Sequence, residues 1–172
     1  MSVRLILCLM CVCCAGALGI LKGMRMRKRI LALKQLLRFF THVSRELEFG
    51  REPLPEIFEK MAARSQKPLA DFLKKTAGDM RTDTAYLHEI FSRNVKEYMT
   101  CSDLEKEDLQ LLTAFGHELG YQDRQLQIHT VENYQQEIRQ RTEALEKEYP
   151  GNCRLFRVLG ISAGLLAAVL LW

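Results

Sequence analysis

Proline and glycine are scarce in this chain of 172 residues, at four and ten. Few positions can therefore force a turn, so loops are few. The composition argues against a β-sandwich and against disorder. No stretch alternates apolar and polar residues with period two, which removes the usual sign of a half-buried strand. Acidic residues are missing from both ends. Residues 1–29 hold six Lys or Arg and no Asp or Glu, and residues 151–172 hold Arg154 and Arg157 and no acid. Residues 30–150 then carry 17 basic side chains against all 21 acidic ones. The net charge of +4 therefore comes from the ends. A pI near 8.8 does not mark a basic domain that binds nucleic acid.

Catalytic signatures are also missing. There is no Gly-rich phosphate loop and no Gly-x-Ser-x-Gly. His117-Glu118 begins like a zinc-protease motif, but Tyr121 stands where the second histidine belongs. The other histidines, His42, His88 and His129, are scattered. No carboxylate pair sits beside a nucleophile or a ligand cluster. The expectation is a protein without catalytic activity, cofactor, metal or small-molecule substrate.

What is present is apolar at both ends. Leu5 to Leu21 is 17 residues without a charge, about 25 Å as a helix and close to the minimum for a bilayer. Val158 to Trp172 adds 15, or 18 counted from Leu155 if Arg157 snorkels. Arg25, Arg27, Lys28 and Arg29 follow the first segment, and Arg154 and Arg157 precede the second. Positive charge stays inside, so this pattern predicts a cytoplasmic centre with both termini outside. The same basic run also suits an anionic lipid surface. The predicted parts are a transmembrane helix over 1–22, a cytoplasmic helical domain over 23–150 and a second transmembrane helix over 151–172.

A cleaved signal peptide is the rival reading. Ala15-Gly16-Ala17 has the spacing of a cleavage site. Against it, the leading region has only Arg4, and the basic cluster that follows opposes export. Cys8, Cys11, Cys13 and Cys14 have ligand-like spacing, but within hydrocarbon a thiol behaves as a small apolar group. Cys101 and Cys153 stand alone and imply no disulfide framework.

Helical periodicity fills the centre. Ile30, Leu33, Leu37, Phe40, Ser44 and Leu47 stripe a helix over about 24–49, continuous with the first apolar segment. Pro53-Leu54-Pro55 opens a second helix, with Ile57, Phe58, Met61 and Ala62 on one face. Lys67-Pro68 opens a third, with Leu69, Phe72, Leu73 and Ala77. Thr82 or Asp83 is expected to cap a fourth through Tyr86, Leu87, Ile90, Phe91, Val95 and Tyr98. Ser102-Asp103-Leu104-Glu105 reads as a capping box for a fifth, which ends at Gly120. A sixth runs from Asp123 to about Tyr149, where Pro150-Gly151 is expected to break it. The fold class is therefore all-α: a bundle of about six helices flanked by two transmembrane helices.

Two surfaces are candidates for protein contact. One is acidic, with Glu105, Glu107 and Asp108. The other is the corner formed by Gly116, Gly120 and Asp123. Gly116 inside a helical pattern costs about 1 kcal/mol relative to Ala. It marks either close helix approach or a specific turn, and the whole corner is either structural or a partner site. Gly160-x-x-x-Gly164 suits packing within the chain or with a second copy, so a homo-oligomer is open.

Several motifs together resemble the stage III sporulation protein AB family of endospore-forming bacteria. They include Leu33-Lys34-Gln35-Leu36-Leu37, and Glu46-Leu47-Glu48-Phe49-Gly50 followed by Pro53-Leu54-Pro55-Glu56-Ile57-Phe58. The most specific is Phe115-Gly116-x-x-Leu119-Gly120-x-x-Asp123-x-x-x-Gln127. Leu159-Gly160 with Gly164-Leu165-Leu166 also fits. Phe49, Glu52 and the Pro150–Cys153 stretch depart from the family's pattern.

The resemblance implies a fold like the cytoplasmic domains of F-type platform proteins in type II secretion. It implies a scaffold in a channel-like complex between mother cell and forespore, required for endospore formation and sited in the mother-cell membrane around the forespore. A secretion-type ATPase and other membrane subunits of that complex are the implied partners. A membrane-anchored signalling adaptor is the alternative on the residues alone, beside the exported helical protein.

Overall fold

The computed structural model describes the backbone of residues 2–49, 52–119 and 124–170 and the side chains of 21–49, 52–119 and 125–149. Among these described residues six α-helices and one π-helical turn follow in order: α1 (Ser2–Phe49), α2 (Leu54–Arg64), α3 (Leu69–Thr82), α4 (Leu87–Asn94), the π-turn (Val95–Met99), α5 (Lys106–Glu118) and α6 (Arg124–Leu170). No strand occurs among the described residues. The chain divides into two compact units, Leu31–Thr142 and the pairing of Met1–Ile30 with Glu143–Trp172. Both divisions fall inside the segment 23–150 expected as one domain.

The Leu31–Thr142 unit closes around aromatic rings. Phe39 and Phe40 of α1, Phe58 of α2, Phe72 of α3, Phe91 of α4 and Phe115 of α5 are all fully buried. Tyr134 of α6 joins them, 5.5 Å from Phe115 between ring centroids. Each helix thus contributes to one cluster. The rings meet mostly edge to face, as at Phe40–Phe115 (4.7 Å) and Phe72–Phe91 (5.0 Å). That geometry sets a positive ring edge on a negative face and adds about 0.5–1.5 kcal/mol per pair beyond area burial.

The stripe on α1 is wider than expected. Leu36, Phe39 and Val43 are buried beside Leu33, Phe40 and Leu47, whereas Leu37 is only half-buried. A helix covered from more than one side needs a broad apolar face. On α2, Pro55 sits in the first turn, where its missing N–H costs nothing, and Ile57, Phe58 and Met61 face inward.

Three expected boundaries move. The fourth helix starts at Leu87, because Asp83 forms a turn instead, accepting a hydrogen bond from the Ala85 N–H at 3.1 Å. Its stripe then ends on Met99 and leaves Tyr98 half-exposed. The wider π-turn carries the residue four beyond Val95 back to the core. The capping box lies three residues later than expected and joins Glu105 to Asp108. Ser102 serves the preceding turn, donating to the Met99 carbonyl and accepting from the Leu104 N–H.

The expected break at Pro150-Gly151 does not occur, since α6 continues to Leu170. A proline removes one hydrogen bond at a cost of about 3 kcal/mol, which a long ladder with neighbours on both sides tolerates.

A buried polar network ties α3 to α4. The Asn94 amide donates to Asp79 Oδ2 at 3.0 Å and to Thr76 Oγ1 at 3.2 Å. Lys75 and Arg93 reach the same Asp79 carboxylate at 2.9 and 3.3 Å. Burial alone would raise the Asp79 pKa, but the hydrogen bonds from Lys75, Asn94 and Arg93 outweigh it and hold the carboxyl below its ordinary value.

Candidate functional site

Helix α5 carries most of the candidate residues. At its start the Glu105 N–H donates to Asp108 Oδ2 at 3.1 Å, which satisfies a backbone donor the helix cannot satisfy itself. The other oxygen of Asp108 accepts from Arg141 Nη1 of α6 at 3.2 Å, and Arg141 Nη2 reaches Glu137 at 2.7 Å. Burial opposes the Arg141 charge, but the hydrogen bonds to Glu137 and Asp108 prevail and raise its pKa.

Asp108 itself is 0% exposed. This corrects its placement on an acidic docking surface: the carboxylate is enclosed, because capping α5 and anchoring α6 both require it to face inward. Glu105 and Glu107 remain exposed, with Asp103 beside them.

Gly116 decides how closely α4 and α5 approach. A Cβ built there would lie 2.7 Å from Phe91 Cβ and 2.2 Å from its Cδ1. Only hydrogen fits. Of the two readings of this glycine, close helix approach is the one the structure gives. Gly116 is buried, so it offers no surface to a partner.

Gly120 and Asp123 lie outside the described residues. On either side of them, Gln127 Nε2 donates to the Leu119 carbonyl at 3.1 Å, which holds the start of α6 to the end of α5. Nearby, the Tyr134 hydroxyl donates to Glu118 Oε1 at 3.1 Å, and burial followed by the Glu118 charge pushes its pKa up.

His117 is exposed and its ring sits 5.1 Å from that of His88. Among the described residues no group of three or more His, Cys, Asp or Glu gathers as a metal site would need. An open groove of about 590 Å³ runs between the π-turn and α5, with Val95, Lys96, Gln110, Thr113 and His117 among its walls. Sequence reasoning missed it, because the π-turn forms one wall and carries no local signature.

Arg25, Arg27 and Lys28 are exposed on α1, while Arg29 is half-buried and partnered. The side chains of Arg154 and Arg157 lie outside the described residues, as do those of nearly all of both apolar segments. Among the described residues no helix is long and apolar enough to cross a membrane. Cys101 is a free, exposed thiol.

The model of the family described as stage III sporulation protein AB matches residues 4–172. The chain belongs to the stage III sporulation protein AB family. Membership gives it a sporulation-related role. A solved structure described as stage III sporulation protein AB (SpoIIIAB) superimposes with a TM-score of 0.66 at 17% identity, covering 71% of this chain and 96% of that one. At that identity the likeness speaks for the helical fold of the family. No curated protein gives a match. In family terms, the Phe115–Gln127 motif has a physical reading. Gly116 admits Phe91, Phe115 and Leu119 fill the core, and Gln127 closes the corner.

Proposed function

We propose that the chain is a non-catalytic, membrane-anchored platform subunit of the secretion-like channel complex between mother cell and forespore, required for endospore formation. The family match over residues 4–172 carries this reading. The all-helical fold supports it, because a helical bundle offers several exposed faces to partners and no cleft is needed.

The apolar terminal segments anchor the chain in the mother-cell membrane, with the central unit cytoplasmic. The basic residues Arg25, Arg27 and Lys28 sit against the anionic leaflet on that side. A secretion-type ATPase is the cytoplasmic partner, alongside other membrane subunits. Glu107 in the first turn of α5 and Glu105 at its N-cap are the exposed acidic residues offered to it, with Asp103 beside them. Charge of this kind steers association and sets orientation.

The test of the role is genetic. Deleting the gene from its own bacterium should abolish heat-resistant spores, and the wild-type gene should restore them. Normal spore counts in the deletion strain would remove the proposal. The contact has its own test. Glu105→Lys with Glu107→Lys should weaken retention of the ATPase in a pull-down at low salt, and unchanged retention would clear this face of the role.

A further inference from the structure

A second charged feature lies away from α5. Within the Leu31–Thr142 unit, α1 and the end of α2 flank a partly open cavity of about 660 Å³. Lys34, Arg38 and His42 line it from α1, each four residues after the last, so they stand one above the other on a single face. Arg64, in the last turn of α2, lines it from the other side. Gln35 Nε2 donates to Gln66 Oε1 at 3.2 Å and joins the two walls.

Among the described residues no carboxylate lines the cavity. Glu46 lies 3.8 Å from His42 at one edge. Lys34 has an interaction of its own. Arg38 and Arg64 make no ion pair among the described residues, although the same unit pairs Arg81, Arg93 and Arg141 with carboxylates. Like charges left facing a shared space repel one another, and an anion placed between them relieves that repulsion. The α2 C-terminus favours a cation such as Arg64 at this end of the cavity even when it is empty.

We propose that this cavity binds a phosphate group, with Arg38 and Arg64 as its principal ligands. Guanidinium suits this role because its planar fork meets two phosphate oxygens at once. Lys34 adds positive charge along the same wall, and His42 adds a hydrogen-bonding imidazole. Two sources share the chemistry, a phospholipid headgroup and free phosphate. Leu31, 53% exposed at the cavity and two residues after the basic run that ends at Arg29, gives an acyl chain an apolar surface beside the headgroup.

The experiment uses the full chain purified in an uncharged detergent at about 0.15 M salt, where exposed charges are screened beyond about 8 Å. Inorganic phosphate and phosphatidic acid in mixed micelles are titrated separately, with phosphatidylcholine as the neutral control. Phosphatidic acid alone binding identifies the headgroup, and equal binding of both probes identifies free phosphate. Arg38→Gln and Arg64→Gln should each weaken binding about tenfold, as expected for a charge-assisted contact. Lys74→Gln, at an exposed lysine of α3 that does not line the cavity, should bind within about threefold of wild type, because remote exposed charges are screened. Both arginines are exposed, so circular dichroism should show an unchanged fold in each variant, and each tests the site separately. No binding of either probe would overturn the site. So would variants of Arg38 and Arg64 that bind like wild type, or a loss of equal size in Lys74→Gln.

Discussion

Replacing Gly116 by alanine sets two effects of opposite sign against each other. In an open helix the change stabilises by about 1 kcal/mol, since alanine orders its backbone at lower entropic cost. In α5 the new methyl carbon would stand 2.7 Å from Phe91 Cβ and 2.2 Å from Cδ1, well inside normal contact. Phe91 has no room to yield, because it is fully buried between Phe58, Phe72 and Phe115. Overpacking of this kind costs about 1–3 kcal/mol and occasionally more. With such short contacts the upper part of that range applies, leaving a net loss of about 2 kcal/mol. For a chain of this size that lowers Tm by about 4–8 °C. Gly78 is the control. A Cβ there meets nothing within 4 Å, so Gly78→Ala should raise stability by about 0.5–1 kcal/mol. The assay is thermal unfolding of the full chain followed by circular dichroism. A Gly116→Ala protein as stable as Gly78→Ala would refute the close approach of α4 and α5.

Other outcomes follow from the same contacts. Arg141→Leu removes the charge facing the enclosed Asp108 carboxylate and should cost about 3 kcal/mol, at the low end for a buried pair because Arg141 is 31% exposed and the Glu105 N–H still donates to Asp108. The double variant Asp108→Ala/Arg141→Leu should cost less than the two single changes added together, and simple additivity in denaturant titrations would deny the coupling. The lowered Asp79 pKa contributes stability that is complete above its unfolded value near 3.8 and drains as pH falls through the lower folded value. Asp79→Asn should therefore flatten the acid side of the stability profile, and an unchanged acid limb would rule that out. Cys101 is exposed, so an impermeant thiol reagent should label it only after cells are permeabilised if the central unit is cytoplasmic. Labelling in intact cells would invert the proposed topology.

Helix existence was legible because it rests on local periodicity. Ile57, Phe58 and Met61, and Leu69, Phe72, Leu73 and Ala77, are buried as their spacing requires. What was not legible depends on distant partners. Asp103, Glu105, Glu107 and Asp108 look alike in a string of letters. Arg141, far along the chain, joins the cap at Glu105 in holding Asp108 inside. Ser102 is an orthodox cap by sequence, yet the turn after Met99 claims its hydroxyl. The π-turn has no residue pattern of its own, so Met99 rather than Tyr98 fills the core. Gly116 was recognisable as unusual, but the reason, Phe91, lies on another helix. The Arg38–Arg64 cavity joins two helices whose charges read separately as ordinary solvated faces.

The aromatic cluster also sets an order of events during synthesis. Phe40 of α1 stacks on Tyr134 of α6 at 6.4 Å, across ~94 residues of sequence. Contacts so remote wait for loop closure, which slows folding relative to local helix formation. At about 5–20 residues per second, a ribosome needs roughly 5–20 s to add the intervening chain. During that interval α1 exposes Phe39 and Phe40 with no complete core to receive them. Whatever engages the N-terminal segment does so while the domain is still open, so the nascent chain needs shelter in that window more than the finished protein does.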